Sequence, residues 1–389
     1  MLRTSERRDF KRCPQRWWWA WRMGLRVKNQ KLGALWFGTG IHLALEHWYI
    51  PGQKRGVDPR ETWEKFVGDQ VAHLKVEMLA DGRDDGRDTA WMEAGELGTA
   101  ILTNYLDTYG EDEHIEVISP EQTFQLVVPR PGTRIPIVRY AGTFDLVARD
   151  HSRNGHLFLW DHKTAKAIQT GHLPLDDQAG SYWAVATHVL RKQGLIGPKE
   201  SLKGIEYNFI MKSPPDDRPR DELGRARNKP KKEHYVAAMR EKYIDMDLDV
   251  DTPIPGDGKK AMSLSETLEK TTLARLQELA EKEFKLIVHG EVAANQPSRR
   301  FERKTVFRTV AERRKQIERI GSEAVVMDSF RYGELPLYKN PTKDCQWDCD
   351  FRQLCELDEQ GGDTEEYIRV VYKSEDPYAA HRLLEREEA

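Results

Sequence analysis

Two runs of apolar and polar residues, joined by a polar turn, predict a pair of neighbouring strands near the middle of the chain. Residues 142–148 alternate between apolar and other side chains, and residues 157–160 are apolar. Alternation with a period of two is typical of a strand, because successive side chains point to opposite faces of a sheet. The polar residues 150–155, which end in Gly155, predict the turn that reverses the chain between the strands.

Similar patterns on either side of this hairpin predict a mixed arrangement of helices and strands. The order around the hairpin is helix, three strands, helix and strand. We predict strands over residues 115–129, 137–148, 156–163 and 204–211. Helical periodicity covers residues 4–27 (interrupted at Pro14), 37–49, 58–110 (two helices), 178–190, 263–290 and 304–330. The charged, proline-rich residues 212–233 predict a loop, either solvated or in contact with DNA.

Composition narrows the class of protein without indicating a partner. The chain has 389 residues, 39% of them hydrophobic and 32% charged, which is typical of one large or two ordinary globular domains. The formal net charge is only −3, so a surface for nucleic acid has to be a local patch. No apolar run approaches the roughly 20 residues that span a bilayer, and the first residues lack an apolar signal core. We therefore expect a cytoplasmic protein (host cytoplasm if phage-encoded) with no membrane partner.

The hairpin carries the first candidate chemistry. Asp145 and Asp161 fall near the same end of neighbouring strands, and Lys163 shares a face with Asp161 because it lies two residues further on. Two carboxylates and an ammonium suit a divalent cation, a scissile phosphate and an attacking water. Taken alone, an Asp-x-Lys triplet is more often a surface ion pair.

Two helices carry further polar pairs at one-turn spacing. Glu46 lies four residues after His42, and Tyr182 lies four residues after Gln178, so each pair shares one helical face. A single histidine on a helix is usually a core or surface residue, and the Gln-x-x-x-Tyr pattern is common. Neither pair predicts a site without its neighbours in the chain.

The four cysteines predict a metal site. Cys345, Cys349 and Cys355 have the spacing C-x3-C-x5-C, and Cys13 lies near the other end of the sequence. In a cytosolic protein of this size such grouping favours metal binding over disulfides. Four thiolates suit zinc, and nothing in the ligand type excludes that ion.

Two further segments allow a nucleic-acid role as well as a structural one. The arginine-rich residues 299–314 form the strongest basic segment, which predicts either contact with a DNA backbone or a solvated surface. The aromatic residues 17–21 are flanked by arginines, and they predict core packing more strongly than base stacking.

In their order along the chain, these signals resemble the PD-(D/E)XK nuclease superfamily, and in particular its RecB/AddB-type branch with an iron–sulfur cluster. The resemblance rests on five linked signals: Cys13, Gly38-x-x-x-His42, Gly142-x-x-Asp145 followed by Asp161-x-Lys163, Gln178-x-x-x-Tyr182, and the three late cysteines. CRISPR-adaptation nucleases and phage recombination exonucleases are similar. The implied fold is an α/β (α+β) restriction-endonuclease-like core, with a central mixed sheet flanked by helices, helical additions and a terminal iron–sulfur staple.

The resemblance implies a role for each candidate residue. The metal, Mg²⁺ or Mn²⁺, would be held by His42, Asp145, Asp161 and the backbone carbonyl of His162. Lys163 would position the attacking water and stabilise developing negative charge, whereas Gln178 and Tyr182 would meet the DNA backbone. Glu46 and Glu121 are expected near the metal, where Glu46 would orient His42 or contact a bound water. Aspartate at 161 replaces the glutamate of many relatives, a change the family tolerates.

The same resemblance implies that the four cysteines hold a 4Fe–4S cluster. Relatives commonly have two residues where this chain has three between Cys345 and Cys349, and zinc stays an alternative. Joining Cys13 to Cys345 closes a loop around the whole core, so the cluster is expected to act as a structural staple.

We therefore expect five segments: an N-terminal helical segment with the first cysteine (1–35), a nuclease core (36–211), a charged loop and helical region (212–335), a cysteine-rich segment (336–361) and a C-terminal tail (362–389).

The expected function is that of a metal-dependent DNA exonuclease, acting on ends or single strands in recombination, repair or mobile-element processing. The chain contains no G-x-x-x-x-G-K-[ST] P-loop, so any helicase would be a separate partner, as would a recombinase or an adaptation complex. The alternative is a non-catalytic DNA-binding or scaffold subunit. Cleavage polarity, strand preference, exonuclease or endonuclease mode and oligomeric state stay open.

Overall fold

The computed structural model describes residues 1–28, 34–81, 87–214, 216–249, 251–252, 263–297 and 299–379. The chain divides into two compact units, Met1–Pro214 with Arg300–Ala389, and Pro215–Arg299. Every site residue predicted above belongs to the first unit. Residues 82–86, within the predicted two-helix segment 58–110, and the end of the predicted C-terminal tail lie outside the described residues. None of the described helices is both long enough and apolar enough to cross a membrane.

The first unit is built on a six-stranded mixed sheet. Its strands are β1 (Leu2–Arg3), β3 (Ile115–Pro129), β4 (Pro136–Asp150), β5 (His156–Ala165), β6 (Leu202–Met211) and β7 (Phe301–Phe307). They follow the order β1-β4-β5-β6-β7, and β3 pairs with β4. The pairs β1–β4 and β5–β6 are parallel, and the other pairs are antiparallel. A separate antiparallel pair joins β2 (Leu25–Val27) to β8 (Tyr372–Ser374).

Helices surround this sheet. Those of the first unit are α1 (Thr4–Arg12), α2 (Pro14–Trp17) with a π-helical turn (Trp18–Arg22), α3 (Ala34–Trp48), α4 (Pro59–Asp81), α5 (Arg87–Tyr109), α6 (Asp177–Lys192), α10 (Val310–Arg331), α11 (Cys345–Asp348), α12 (Arg352–Glu359) and α13 (Thr364–Val371). The second unit contains α7 (Lys232–Asp245), α8 (Leu264–Lys270) and α9 (Leu273–Lys282). The predicted fold class, a central mixed sheet flanked by helices, is confirmed.

The period-two alternation of the hairpin divides its apolar residues between two cores. Val147 and Leu159 are paired across β4 and β5, and both belong to the core that includes α1, α6 and α10. Leu146 and Trp160, the next pair, belong to the core formed with α3, α4 and α5. The sheet is therefore covered on both faces, which explains why its central strands contain so few polar residues.

Three element predictions are wrong. Residues 304–307, predicted as the start of a helix, form the end of β7, because they pair along β6 and because Thr309 caps α10 by accepting the N–H of Glu312. The single helix predicted over residues 263–290 is two shorter helices, since Thr272 caps a new one. The helical pattern that extends to residue 27 ends instead in strand β2.

Close packing of α4 against α5 allows a test of the second core. Trp63 is fully buried, and a Cβ atom on Gly98 would lie 2.1 Å from its ring. We expect Gly98→Ala to lower the free energy of unfolding by about 1–3 kcal/mol in urea denaturation, since the ring has no room to move. Gly68→Ala is the matched control on α4, because nothing lies within 4 Å of its Cβ. Gly68→Ala is expected to be neutral or stabilising by up to about 1 kcal/mol, and equal losses in both variants would contradict this packing.

Candidate active site

Strand pairing brings the two predicted aspartates together. Leu146 on β4 pairs with Trp160 on β5, so Asp145 and Asp161 occupy the next opposed positions. A carboxylate oxygen of Asp145 accepts the backbone N–H of His162 at 2.8 Å. This bond fixes the Asp145 carboxylate at the end of the paired hairpin segment.

Lys163 lies between an aspartate of its own strand and the first turn of α6. Its Nζ atom is 2.8 Å and 3.1 Å from the two carboxylate oxygens of Asp161, and 3.4 Å from Oε1 of Gln178. Burial opposes the charged form, but the carboxylates of Asp161, Asp176 and Asp145 together outweigh it, so the pKa of Lys163 is raised. Lys163 is therefore an ammonium at neutral pH.

Asp161 is more deeply buried than Asp145, with 3% of its surface exposed. Burial raises the pKa of Asp161, Lys163 opposes the rise, and Asp145 adds to it. A carboxylate held in this way favours a nearby positive charge.

The structure brings three predicted residues into one potential cation site. The ligand atoms of His42, Glu121 and Asp145 all lie within 4.8 Å of one another. Nδ1 of His42 is 3.7 Å from a carboxylate oxygen of Asp145. His42 comes from α3, Asp145 from β4 and Glu121 from β3, so three separate elements converge here.

Glu121 reaches this site through an unusual backbone conformation. Its φ angle is +39°, in the left-handed region that non-glycine residues rarely adopt. The register of β3 against β4 also shifts between Val117 and Ser119, which is the mark of a bulge. Strained residues and bulges concentrate next to active sites, where they redirect a side chain.

The burial of Glu121 and the negative charges around it are those expected for an acid beside a cation site. Burial, and then the charges of Asp145 and Glu46, raise the pKa of Glu121 to about 8. The repulsion from Glu46 also indicates that this predicted neighbour lies close to the group. Either a proton on Glu121 or a cation bound among these groups relieves the repulsion between the acids.

Helix α6 supplies the fourth side of the site. It begins at Asp177 because the Asp176 side chain accepts the N–H groups of Gln178 and Ala179. Tyr182, one turn after Gln178, packs edge-on against the rings of Phe124 and Phe144. Burial raises the pKa of Tyr182 to about 12, so its hydroxyl stays a hydrogen-bond donor.

A glycine on β4 makes room for this helix. A Cβ atom on Gly142 would lie 2.7 Å from the ring of Tyr182. The glycine of the Gly-x-x-Asp pattern is therefore required for helix–sheet contact beside the site.

A comparison with protein families identifies the chain. The model of the PD-(D/E)XK nuclease superfamily matches residues 4–356, from the start of α1 to within α12. The chain belongs to the PD-(D/E)XK nuclease superfamily. This membership indicates a metal-dependent nuclease with DNA as its substrate. A search of curated proteins finds no match.

The nuclease places the His162 side chain on the opposite face of the sheet from Asp161 and Lys163. Its ring stacks on Tyr49 and meets the ring of His42 edge-on, with centroids 5.8 Å apart. Its Nδ1 atom is 2.9 Å from the side-chain nitrogen of Asn208. Burial and the neighbouring His42 hold the pKa of His162 well below its usual range, so the imidazole is neutral.

Behind His162 lies a buried polar network that was not predicted from the sequence. Arg303 donates to both carboxylate oxygens of Asp112, at 2.7 Å and 2.6 Å. It also donates to the hydroxyls of Tyr49 and Tyr105, and Asn208 donates to Tyr105. Arg303 lies in the segment predicted as a basic patch. The apolar residues of this segment, Phe301, Val306 and Phe307, do not alternate, so no local pattern in the sequence signals that the Arg303 side chain points inward.

Two other arginines of that segment are also structural. Arg308 donates to the backbone carbonyls of Leu173 and Pro174, and the Arg313 guanidinium lies over the ring of Trp183. The three side chains hold β7 and α10 against the core. Arg303 and Arg308, whose side chains are 15% and 8% exposed, are therefore engaged inside the protein and not in the predicted contact with a DNA backbone.

The four cysteines of the nuclease line one cavity of about 420 Å³, together with Arg12, Arg16 and Lys339 among other residues. The backbone N–H of Thr342 donates to Sγ of Cys345 and lowers the pKa of that thiol. Burial raises the pKa of Cys349 and of Cys355. Among the described residues, which include all four cysteines, no three thiol sulfurs lie within 4.8 Å of one another.

Proposed function

We propose that this nuclease hydrolyses DNA as a metal-dependent exonuclease acting on ends or single strands. The observation that carries the proposal is the convergence of His42, Glu121 and Asp145 beside the Asp161–Lys163 ion pair. A cation position next to a fixed ammonium suits phosphodiester hydrolysis, since both positive charges stabilise the negative charge that develops on the phosphate.

The donor set fits a divalent ion. Carboxylate oxygens suit Mg²⁺ and Mn²⁺, and of these two ions the transition metal Mn²⁺ accepts the added imidazole nitrogen more readily. We propose His42, Asp145, Asp161 and the His162 carbonyl as the ligands, with the Glu121 carboxylate close enough to join them. When bound, such an ion lowers the pKa of a water molecule and offsets phosphate charge.

The chain's own side chains then have distinct tasks. Lys163 remains charged, holds the attacking water and donates to the phosphate. Oε1 of Gln178 faces Lys163, which leaves the side-chain N–H₂ of Gln178 to donate to the DNA backbone. The protonated hydroxyl of Tyr182 is a second donor on the same helical face. Glu46 helps to orient His42 or a bound water.

A labelled-oligonucleotide assay tests this proposal. Shortening of the labelled strand with Mg²⁺ or Mn²⁺, and none with EDTA, is the expected result. Binding of DNA without any cleavage under all metal conditions would contradict it and would favour the alternative, a non-catalytic DNA-binding or scaffold subunit. Labelling each end in turn also gives the polarity, and comparing linear with circular single strands separates exonuclease from endonuclease action.

Metal binding should be visible without DNA. We expect Mn²⁺ at about one hundred times its Kd to stabilise the nuclease by roughly 2.7 kcal/mol, because the folded state alone offers the site. The stabilisation, measured by thermal denaturation, should be lost in Asp145→Asn. Glu113→Gln, an exposed acid outside the group, is the control and should respond like the wild type. Equal stabilisation of Asp145→Asn would contradict this site.

We propose further that Cys13, Cys345, Cys349 and Cys355 hold a 4Fe–4S cluster. What supports the proposal is that all four thiols line one cavity, since thiolates are the ligands that hold iron–sulfur clusters; zinc, which also accepts four thiolates, is second. Arg12, Arg16 and Lys339 in the cavity wall offset its negative charge.

The cysteine site would join α1 to the segment after α10, and so staple the two ends of the core. We expect Cys13→Ser to lose the visible thiolate–iron absorbance and the iron and sulfide content of the purified protein. Its melting temperature should fall, since metal–thiolate bonds contribute to folding free energy. An unchanged spectrum and melting temperature would show that this site is not a cluster staple.

We also propose which segments of the chain carry each activity and the cellular process that they serve. Residues 36–211 would carry catalysis, and residues 1–35 and 336–361 would carry the cluster. We place the activity in the cytoplasm, in recombination, repair or mobile-element processing. A separate helicase, recombinase or adaptation complex would supply the DNA end.

A further inference from the structure

Asn208 of β6 joins the His162 side chain to the buried network around Arg303. Residues 162 and 208 are register partners in the parallel pair β5–β6, so their side chains lie next to each other on one face of the sheet. The side-chain nitrogen of Asn208 is 2.9 Å from Nδ1 of His162 and 2.9 Å from the hydroxyl of Tyr105. Asn208 is fully buried, so these two contacts determine what its amide does.

The direction of the hydrogen bonds in this network is set by Asp112. Its carboxylate is paired with Arg303 and can only accept, so the hydroxyl of Tyr49, 2.7 Å away, donates to it. A hydroxyl has one hydrogen, and therefore the 2.9 Å bond between Tyr49 and Tyr105 takes its hydrogen from Tyr105. The Tyr105 oxygen can then only accept from Asn208.

An acceptor at Tyr105 fixes the orientation of the Asn208 amide. The NH₂ group must face Tyr105, because the amide oxygen would meet an oxygen with no hydrogen to give. The same NH₂ group faces Nδ1 of His162 and can only donate there as well. Nδ1 of His162 therefore carries no proton, and the single ring proton is on Nε2. The amide oxygen has no partner among the described residues, so the two donated bonds alone determine this orientation.

This tautomer decides what the His162 ring can do beside the cation site. Nδ1 is occupied by the amide and Nε2 by its proton, so the ring has no lone pair to offer a metal ion. The ring meets that of His42 edge-on, with centroids 5.8 Å apart, and it stacks on Tyr49. The backbone N–H of His162 also donates to Asp145 at 2.8 Å. His162 therefore contacts two of the proposed metal ligands while its own ring is excluded from binding the ion.

We propose that Asn208 is a positioning residue for the metal, which holds His162 as the Nε2–H tautomer and, through His162, holds His42 and Asp145 in place to bind the cation. The proposal rests on the proposed nuclease site. Side chains that orient metal ligands from behind typically contribute roughly ten- to a hundredfold to metal affinity.

Nitrogen NMR of protein with isotopically labelled histidine rings reads the tautomer without metal or DNA, and His162→Gln identifies the signals. We expect the wild type to carry the ring proton on Nε2. Asn208→Asp has nearly the same shape but only accepts, so it should place a proton on Nδ1. Tyr49→Phe keeps the stacked ring and frees the Tyr105 hydrogen, so part of its population should also carry the proton on Nδ1. A wild-type proton on Nδ1, or an unchanged tautomer in Asn208→Asp, would overturn the proposal.

Metal affinity tests the positioning role. Binding of Mn²⁺ without DNA is followed by the electron paramagnetic resonance of the free ion. Asn208→Leu removes the donor and keeps the approximate size, and it should weaken binding about tenfold. Tyr49→Phe leaves Asn208 in place and should fall between Asn208→Leu and the wild type. Thr187→Val is the control, because it removes a buried hydroxyl that contacts Leu202 and Arg313 instead, and it should bind Mn²⁺ like the wild type.

The outcomes separate this proposal from the one on which it rests. Wild-type Mn²⁺ binding with the same affinity in Asn208→Leu and Tyr49→Phe would reject the positioning role and keep the metal site. Equal losses in Asn208→Leu and Thr187→Val would also reject the positioning role, since they would reflect stability alone. A wild type that binds no Mn²⁺ would reject the metal site itself, and the positioning role with it.

Discussion

Replacing Lys163 with methionine is expected to reduce DNA cleavage about a thousandfold, the loss seen when a single donor to a developing oxyanion is removed. Lys163 lies beside the proposed cation position, and its contacts with Asp161 and Gln178 fix it in place. Methionine keeps the length and apolar stem of the side chain and removes only the charge. Single-turnover cleavage of a labelled strand in Mn²⁺ measures the effect.

The controls for this variant address folding and general charge. Lys166→Met removes an exposed lysine three residues away, and it should cleave like the wild type. Because Lys163→Met leaves the Asp161 carboxylate buried without its partner, some loss of stability is expected. Lys163→Met/Asp161→Asn should regain that stability but not the activity. Cleavage by Lys163→Met within tenfold of the wild type would remove Lys163 from the reaction.

Replacing Arg303 with methionine is expected to lower the free energy of unfolding by about 3–5 kcal/mol, the usual loss when one partner of a buried ion pair is removed. The Asp112 side chain is 2% exposed, and Arg303 donates to both of its oxygens. Without the guanidinium, Asp112 is a buried charge whose remaining side-chain donor, among the residues that the structure describes, is the Tyr49 hydroxyl. Urea denaturation measures the change.

A matched set of variants separates the ion pair from the strand that carries it. Lys304→Met alters the next, exposed position of β7 and should change stability by less than about 0.5 kcal/mol. Arg303→Lys should also be destabilised, since an ammonium does not reproduce the two-pronged contact. Arg303→Met/Asp112→Asn should be less destabilised than Arg303→Met, because the buried charge is gone. A loss of under 1 kcal/mol in Arg303→Met would show that the network is not important for folding.

The sheet and the acidic hairpin could be predicted from sequence because their signals are local. Strands 115–129 and 204–211 show period-two alternation, and a polar turn fixes the direction of the hairpin. Once β4 and β5 pair, Asp145 and Asp161 must be neighbours. Lys163 then follows from the geometry of a strand. These steps need no knowledge of distant contacts.

Other features depended on contacts that a local pattern does not contain. The position of Glu121 within the cation group depends on a left-handed residue and a bulge in β3, and no residue type there signals either. Arg303 was read as a surface charge, because an arginine in a basic run gives no sign of a partner at Asp112. The boundary between β7 and α10 was missed because charged residues at 302–304 also suit an exposed helix.

The position of the metal ion is the most direct test of the account. Crystals of the wild-type nuclease soaked in Mn²⁺ and measured at the manganese absorption edge should show an anomalous peak among His42, Glu121 and Asp145, on the side facing Asp161. Asp145→Asn crystals soaked in the same way should lack that peak. A strong peak elsewhere in the molecule, with none at this group, would contradict the proposed catalytic centre.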